Sequence, residues 1–245
     1  MKITILAPVA LLGRSPASAI DLTPSAFFGH DLRVQFLDQG PPSIEGAFDE
    51  ALAVAEIVAK AVQAEAEGAQ AVVIDCVLDP GLEAAREKVS IPVVGPGQAA
   101  MHLACQLADR FSIVTVLKAL APSLRRRAEL YGLASRLASV RAIDVPVLAL
   151  LEGREACAAP LAREAVLAVE QDGAEAVVLG CTGMAGLATP VTDELRRRGL
   201  PPIPVIDPRN AALAVAAGLV GMELTHSRLT YPVPAEKAVA GCAGL

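Results

Sequence analysis

One stretch of this chain is written twice. Gly68-Ala-Gln-Ala-Val-Val-Ile-Asp-Cys76 returns 105 positions later as Gly173-Ala-Glu-Ala-Val-Val-Leu-Gly-Cys181. Ile91-Pro-Val-Val94 returns 112 positions later as Ile203-Pro-Val-Ile206, and Pro96, Ala99, Ala100 and Ala104 fall on Pro208, Ala211, Ala212 and Ala216 at the same offset. The difference in offset is taken up between Cys181 and Ile203, a segment rich in Arg and Pro. Duplication explains this better than chance. It implies two similar units within 245 residues, each large enough for a small core.

The pattern inside the copies sets the fold class. Strand-like runs are expected at Ile3 to Ala7, Arg33 to Leu37, Ala71 to Asp75, Pro92 to Val94, Ser112 to Val116, Val145 to Leu150, Ala176 to Gly180 and Pro204 to Ile206. Several are short and continuously apolar, as parallel strands covered on both faces are. Helical patterns fill the intervals at Ile44 to Glu67 and Leu161 to Asp172, each followed by a glycine suited to a C-terminal cap, Gly68 and Gly173. The expectation is an α/β protein of two Rossmann-like αβα lobes. Each lobe carries a four-stranded parallel sheet, and the two face one another across a pseudo-twofold axis with the active site in the cleft between them.

Composition excludes several classes. Apolar residues make up 53% and charged residues 20%, so the chain can bury a core and is not disordered. Twenty-one Lys plus Arg against 27 Asp plus Glu leaves a net charge of -6. The basic blocks are Arg125 to Arg127 and Arg196 to Arg198, both in helical patterns and read as solvated faces, so no nucleic-acid partner is expected. The longest apolar run, Ala211 to Met222, is too short to span a bilayer, and no membrane association is expected. Met1 and Lys2 lead straight into a strand pattern with no signal-peptide organisation. The expected compartment is the cytoplasm, where five Cys with no CxxC pair read as reduced thiols. His30, His102 and His226 show no metal-ligand spacing, and Gly95-Pro-Gly97 lacks the pattern of a phosphate loop, so neither metal nor cofactor is expected.

The repeat also carries the chemistry. Cys76 and Cys181 end equivalent buried strands, at the sheet edge where parallel α/β proteins bind ligands. Helix-opening segments follow each, and their backbone N–H groups are expected to lower the thiol pKa. If the lobes face each other, the sulfurs approach one cleft from opposite sides. A stereocentre between them then loses a proton to one Cys and regains it from the other on the opposite face, which is two-base racemisation. Amides after each Cys are expected to stabilise the enolate-like oxygen. A Cys ending an apolar strand is ordinarily just a small buried hydrophobe, but two at matched repeat positions favour the catalytic reading. Cys105, Cys157 and Cys242 have no repeat partner and are read as non-catalytic, Cys105 as core.

The chain resembles the aspartate/glutamate/hydantoin racemase superfamily, and within it the hydantoin and allantoin racemases. The resemblance is carried by Gly40-Pro-Pro-Ser-Ile-Glu-Gly46, Asp79-Pro-Gly-Leu-Glu-Ala-Ala-Arg86, Tyr131-Gly-Leu133, Ser139-Val-Arg-Ala142, Val145-Pro-Val-Leu148 and Val178-Leu-Gly-Cys-Thr-Gly-Met184, and it covers essentially the whole chain. It implies a cofactor-independent racemase whose catalytic thiols fall on Cys76 and Cys181, acting on a small molecule as a homo-oligomer. It also implies that the last helix returns to the first lobe, giving residues 1–97 plus 208–245 for one lobe and 98–207 for the other. The substrate class is a carbon acid beside a carbonyl, a 5-substituted hydantoin or allantoin. One departure bears on specificity. Family members commonly carry a polar pair such as Asn-Thr after the first strand-end Pro, where Pro8 is followed by Val9 and Ala10, and Val77 follows Cys76. A more hydrophobic substrate group, or a polar ring held differently, is then expected.

The substrate-binding candidates are Pro8, Val9, Ser43, Ile44, Val77, Leu78, Thr115, Thr182 and Gly183. Ser43 and Thr182 also have helix N-cap readings, and Asp79 with Pro80 and Gly81 reads as a turn. Three rivals remain. An aspartate/glutamate-type racemase would want cationic or hydroxyl groups that Pro8 to Leu12 does not offer. Related folds also host decarboxylases and cis-trans isomerases, and the decarboxylases that resemble the family keep one of the two Cys. A non-enzymatic two-lobed binding protein has no use for paired thiols.

Overall fold

The computed structural model describes residues 1–16, 20, 22 and 29–235; Cys242 lies outside the described residues. Among these residues eight strands form two parallel sheets of four. β1 (Lys2–Ala10), β2 (Asp31–Leu37), β3 (Ala71–Ile74) and β4 (Val93–Val94) are ordered β2-β1-β3-β4. β5 (Phe111–Thr115), β6 (Leu137–Ala142), β7 (Ala176–Leu179) and β8 (Val205–Ile206) are ordered β6-β5-β7-β8. The repeat is reproduced down to the register. Val72 pairs with Val93 and Val73 with Val94, while Val177 pairs with Val205 and Val178 with Ile206. Every residue of β3 and β7 is buried, which is why both read as unbroken apolar runs.

Among the described residues eight helices flank the sheets: α1 (Ala47–Ala66), α2 (Leu82–Lys88), α3 (Pro96–Leu107), α4 (Ala121–Leu130), α5 (Val147–Glu152), α6 (Ala158–Asp172), α7 (Ala188–Arg197) and α8 (Pro208–Gly221). α3 and α8 carry the repeated alanines Ala99, Ala100, Ala104 and Ala211, Ala212, Ala216, all buried, and the two helices pack on each other. Small side chains let the backbones approach closely. Each helix leaves one sheet and packs on the other: α3 follows β4 but contacts β5, β7 and β8, and α8 follows β8 but contacts β3 and β4. This exchange at the pseudo-twofold axis joins the two lobes.

Three local expectations are corrected. The strand beside β5 is Leu137–Ala142, not Val145 to Leu150. Ser139 and Arg141 break the apolar run of that edge strand, which is half-buried along its whole length, whereas Val147–Glu152 is helical, as its Leu and Ala residues favour. The long helix starts at Ala47 with Gly46 at its N-cap, so Ser43 caps nothing; its hydroxyl faces Glu45 Oε1 at 3.5 Å. Strand β1 continues past Ala7 through a register shift that ends at Ala10, and Pro8, which has no N–H to give a ladder, sits in that irregularity.

Candidate active site

Strand β3 ends at Ile74 and β7 at Leu179, so Cys76 and Cys181 each stand two residues beyond the carboxyl end of a central strand. Both line one cavity that opens to solvent. Pro8, Val9, Ile44, Val77, Leu78, Thr182 and Gly183 line it too, as do Ile20, Pro42, Asp75, Val116, Leu120, Val147, Leu151 and Arg209, residues that no sequence motif marks as site residues. Apart from the two thiols, the charged or hydroxyl-bearing side chains among these lining residues are Asp75, Thr182 and Arg209. Ser43 and Thr115 are not in the lining. Thr115 lies behind it, fully buried, and donates to the Gly180 carbonyl at 3.0 Å. Thr182 is no N-cap: its hydroxyl donates to the Asp75 carbonyl at 2.9 Å, joining the loop after one Cys to the residue before the other.

The expected amide donors are present, but they do not lower the thiols. Leu78 N–H approaches Cys76 and Gly183 N–H approaches Cys181. Burial among apolar side chains outweighs them. Burial pushes Cys76 well above the ordinary thiol value, against the pull of the Leu78 amide, and the negative charges of Cys181 and Asp79 add to the rise. Cys181 is pushed up to about 11 by burial; the Gly183 amide and Arg209 oppose the rise and Asp75 adds to it. A thiolate formed here is strongly basic, as a proton acceptor from a weak carbon acid must be. Cys105 is half-buried and packs against the core, and Cys157 is buried.

Two buried carboxylates were not legible as partners. Asp75 takes a bidentate ion pair from Arg209, Nε to Oδ1 at 2.9 Å and Nη2 to Oδ2 at 2.8 Å, with both side chains 3% exposed. The repeat held a signal for it. Asp75 stands where the other copy has Gly180, and Arg209 where the other has Gly97, so the pair marks where the copies diverge. Neither glycine has room for a side chain: a methyl on Gly180 would lie 2.6 Å from Thr115 Cβ, and one on Gly97 would lie 2.1 Å from the Val77 carbonyl. Asp79 is more than a turn residue. It is 1% exposed at φ 50°, in the left-handed region, and its carboxylate accepts the amides of Gly97 and Gln98 at the start of α3 at 2.9 and 2.7 Å. Tyr131 from the other lobe donates to it at 2.5 Å. Burial raises the Asp79 carboxyl to about 6 against these donors.

No helix among the described residues is long and apolar enough to cross a membrane, and no group of three His, Cys, Asp or Glu among them is arranged to hold a metal ion. His226, read in the sequence as standing alone, accepts the Val93 amide on β4 at 2.8 Å.

Residues 30–216 match the family model described as Asp/Glu/Hydantoin racemase. A hydantoin racemase of Rhizobium meliloti is 43% identical over 202 residues, covering 82% of this chain and 81% of that protein. One of Paenarthrobacter aurescens is 41% identical over 201 residues, covering 81% and 83%. Among solved structures, an allantoin racemase from Klebsiella pneumoniae superposes with a TM-score of 0.89 at 36% identity, covering 100% of this chain and 98% of that one.

Proposed function

The chain belongs to the Asp/Glu/hydantoin racemase family, and from that premise we propose that it inverts the C5 stereocentre of 5-substituted hydantoins without a cofactor. The observation that carries this reading is the pair of thiols, Cys76 and Cys181, on the wall of one largely apolar cavity at equivalent ends of two repeated sheets. One thiolate takes the C5 proton and becomes a thiol, and the electron pair delocalises into the flanking ring carbonyl. The other thiol delivers its proton to the opposite face and becomes the thiolate. The enzyme is left with its protonation reversed, ready for the other enantiomer.

The cavity walls bear on the substituent. Val9, Ile44, Val116, Leu120, Val147 and Leu151 offer an apolar surface, favouring an alkyl or aryl group on C5 over the polar ureido group of allantoin. Arg209, the cation in the lining, is spent on Asp75, which disfavours the second carboxylate of aspartate or glutamate. Assembly into a homo-oligomer belongs to the same proposal: Phe48 and Leu52, 75% and 53% exposed one turn apart on α1, are an apolar surface of the kind that copies bury against one another.

Polarimetry on an L-5-alkylhydantoin, allantoin and L-aspartate tests the substrate. Decay of rotation should be fastest with the alkylhydantoin, and decay with aspartate alone would overturn the assignment. For the mechanism, Cys76→Ser and Cys181→Ser should each abolish racemisation yet exchange the C5 proton with solvent deuterium, on opposite enantiomers. Racemisation near the wild-type rate in either variant would refute the two-thiol scheme.

A further inference from the structure

The loop that carries Cys76 is fixed from both lobes. Behind Cys76, Val77 and Leu78 line the cavity, and the Leu78 amide is the donor that approaches the sulfur. One residue on, Asp79 anchors this segment: its amide donates to the Cys76 carbonyl at 2.9 Å, and its carboxylate binds the first amides of α3. The fit is tight enough to exclude side chains opposite. A methyl on Gly95 would lie 2.4 Å from Asp79 Cγ, and one on Gly97 would meet both Val77 and Asp79. These contacts all come from the stretch that runs from β3 into the first turn of α3. The remaining bond comes from the second lobe, where Tyr131 ends α4 and its hydroxyl reaches the Asp79 carboxylate. One turn earlier on α4, Arg127 crosses the same gap to Glu50 of α1 at 3.1 Å. Two cross-lobe bonds therefore leave one helix face, but only one of them ends on the Cys76 loop.

We propose that Tyr131 is a positioning residue, holding Asp79 and through it the Val77–Leu78 segment in the geometry that aims the Leu78 amide at Cys76. The Glu50–Arg127 pair also ties the lobes, but its bond does not end on the Cys76 loop. The tie makes the Cys76 donor geometry depend on the second lobe being in place, so the two halves of the site are assembled together. The proposal rests on Cys76 acting as acid and base. Its structural part does not depend on which substrate is turned over.

The test compares Tyr131→Phe, which removes one oxygen, with Glu50→Gln, which takes the charge out of the neighbouring tie. By amide hydrogen exchange read by mass spectrometry, Tyr131→Phe should accelerate peptides covering Cys76 to Leu82 and the first turn of α3 about tenfold, with the Cys181 loop unchanged. Glu50→Gln should leave the Cys76 loop as in the wild type. On the hydantoin, Tyr131→Phe should lose about tenfold in kcat in both directions with KM within about twofold, because Cys76 takes part in each direction. Asp79→Asn, which keeps the shape but replaces an accepting oxygen by a donor, should reproduce the exchange pattern. Unchanged exchange at the Cys76 loop in Tyr131→Phe, or an acceleration spread equally over both lobes, would overturn the proposal. A wild-type protein that turns over no hydantoin would instead sink the substrate assignment, and the exchange comparison would still decide the role of Tyr131.

Discussion

Replacing Arg209 by Met keeps an unbranched apolar stem but removes the buried guanidinium, and leaves Asp75 facing the cavity wall without its bidentate partner. Both side chains are 3% exposed, so water does little to screen or replace the lost interaction. Breaking one side of such a pair costs about 3–5 kcal/mol, most of it the penalty of an uncompensated buried charge. For a chain of this size that corresponds to a fall in Tm of roughly 6–10 °C, at about 2 °C per kcal/mol. The cost should be recoverable. Asp75→Asn combined with Arg209→Met removes both charges and should return to within about 1.5 kcal/mol of the wild type, since an apolar or neutral replacement of a buried pair is often close to neutral. The double variant also removes two opposing influences on Cys181, the Arg209 charge that lowers its pKa and the Asp75 charge that raises it, so the thiol should titrate near its original position. Urea unfolding followed by circular dichroism gives the stabilities of the four members of the cycle. A loss below about 1 kcal/mol in Arg209→Met, or a double variant as unstable as the two singles summed, would refute the reasoning.

Other consequences follow from the same geometry. Gly97→Ala puts a methyl 2.1 Å from the Val77 carbonyl and should cost about 3 kcal/mol, whereas Gly221→Ala, with nothing within 4 Å, should stay within about 0.5 kcal/mol of wild type; equal stabilities would contradict the close approach. With Cys181 near 11, the thiolate is scarce at neutrality, so kcat/KM should climb nearly tenfold per unit between about pH 7 and 10, and a flat profile would argue against a thiolate base. The same shift carries a stability cost of known sign. Cys181 holds its proton more firmly folded, at about 11, than unfolded, at 9.0, so this contribution is full below pH 9 and is lost as pH rises to 11, by about 3 kcal/mol in alkaline unfolding experiments. His226 is displaced the other way: burial and the Arg86 charge hold it at about 4, so its neutral ring stabilises the fold above pH 6.5 and that stability is lost as pH falls towards 4. An NMR titration of His226 with a midpoint near 6.5 would contradict its burial against the Val93 amide.

The duplicated segments determined by themselves that there are two lobes, that β3 and β7 are buried central strands, and that Cys76 and Cys181 are equivalent. Such information is local and periodic: four apolar residues, a turn and a cysteine read the same wherever the chain later goes. The repeat also carried the paired-thiol chemistry, and the resemblance, Tyr131-Gly-Leu133 and Val178 to Met184 among its carriers, added the substrate class. Tertiary structure decided what those motifs touch. Asp75 meets Arg209 134 residues away, Thr182 reaches the Asp75 carbonyl across 107, and Tyr131 finds Asp79 across 52; no spacing or propensity encodes such partners. The edge strand Leu137–Ala142 was missed because a half-exposed strand depends on its neighbour for its identity, and Ser43 was misread because where α1 begins is fixed by packing. The direction of the thiol pKa was decided in the same way. Backbone donors after each Cys are a local feature that the sequence reveals, but burial depends on every side chain folded around the sulfur, and at both cysteines burial is the larger effect.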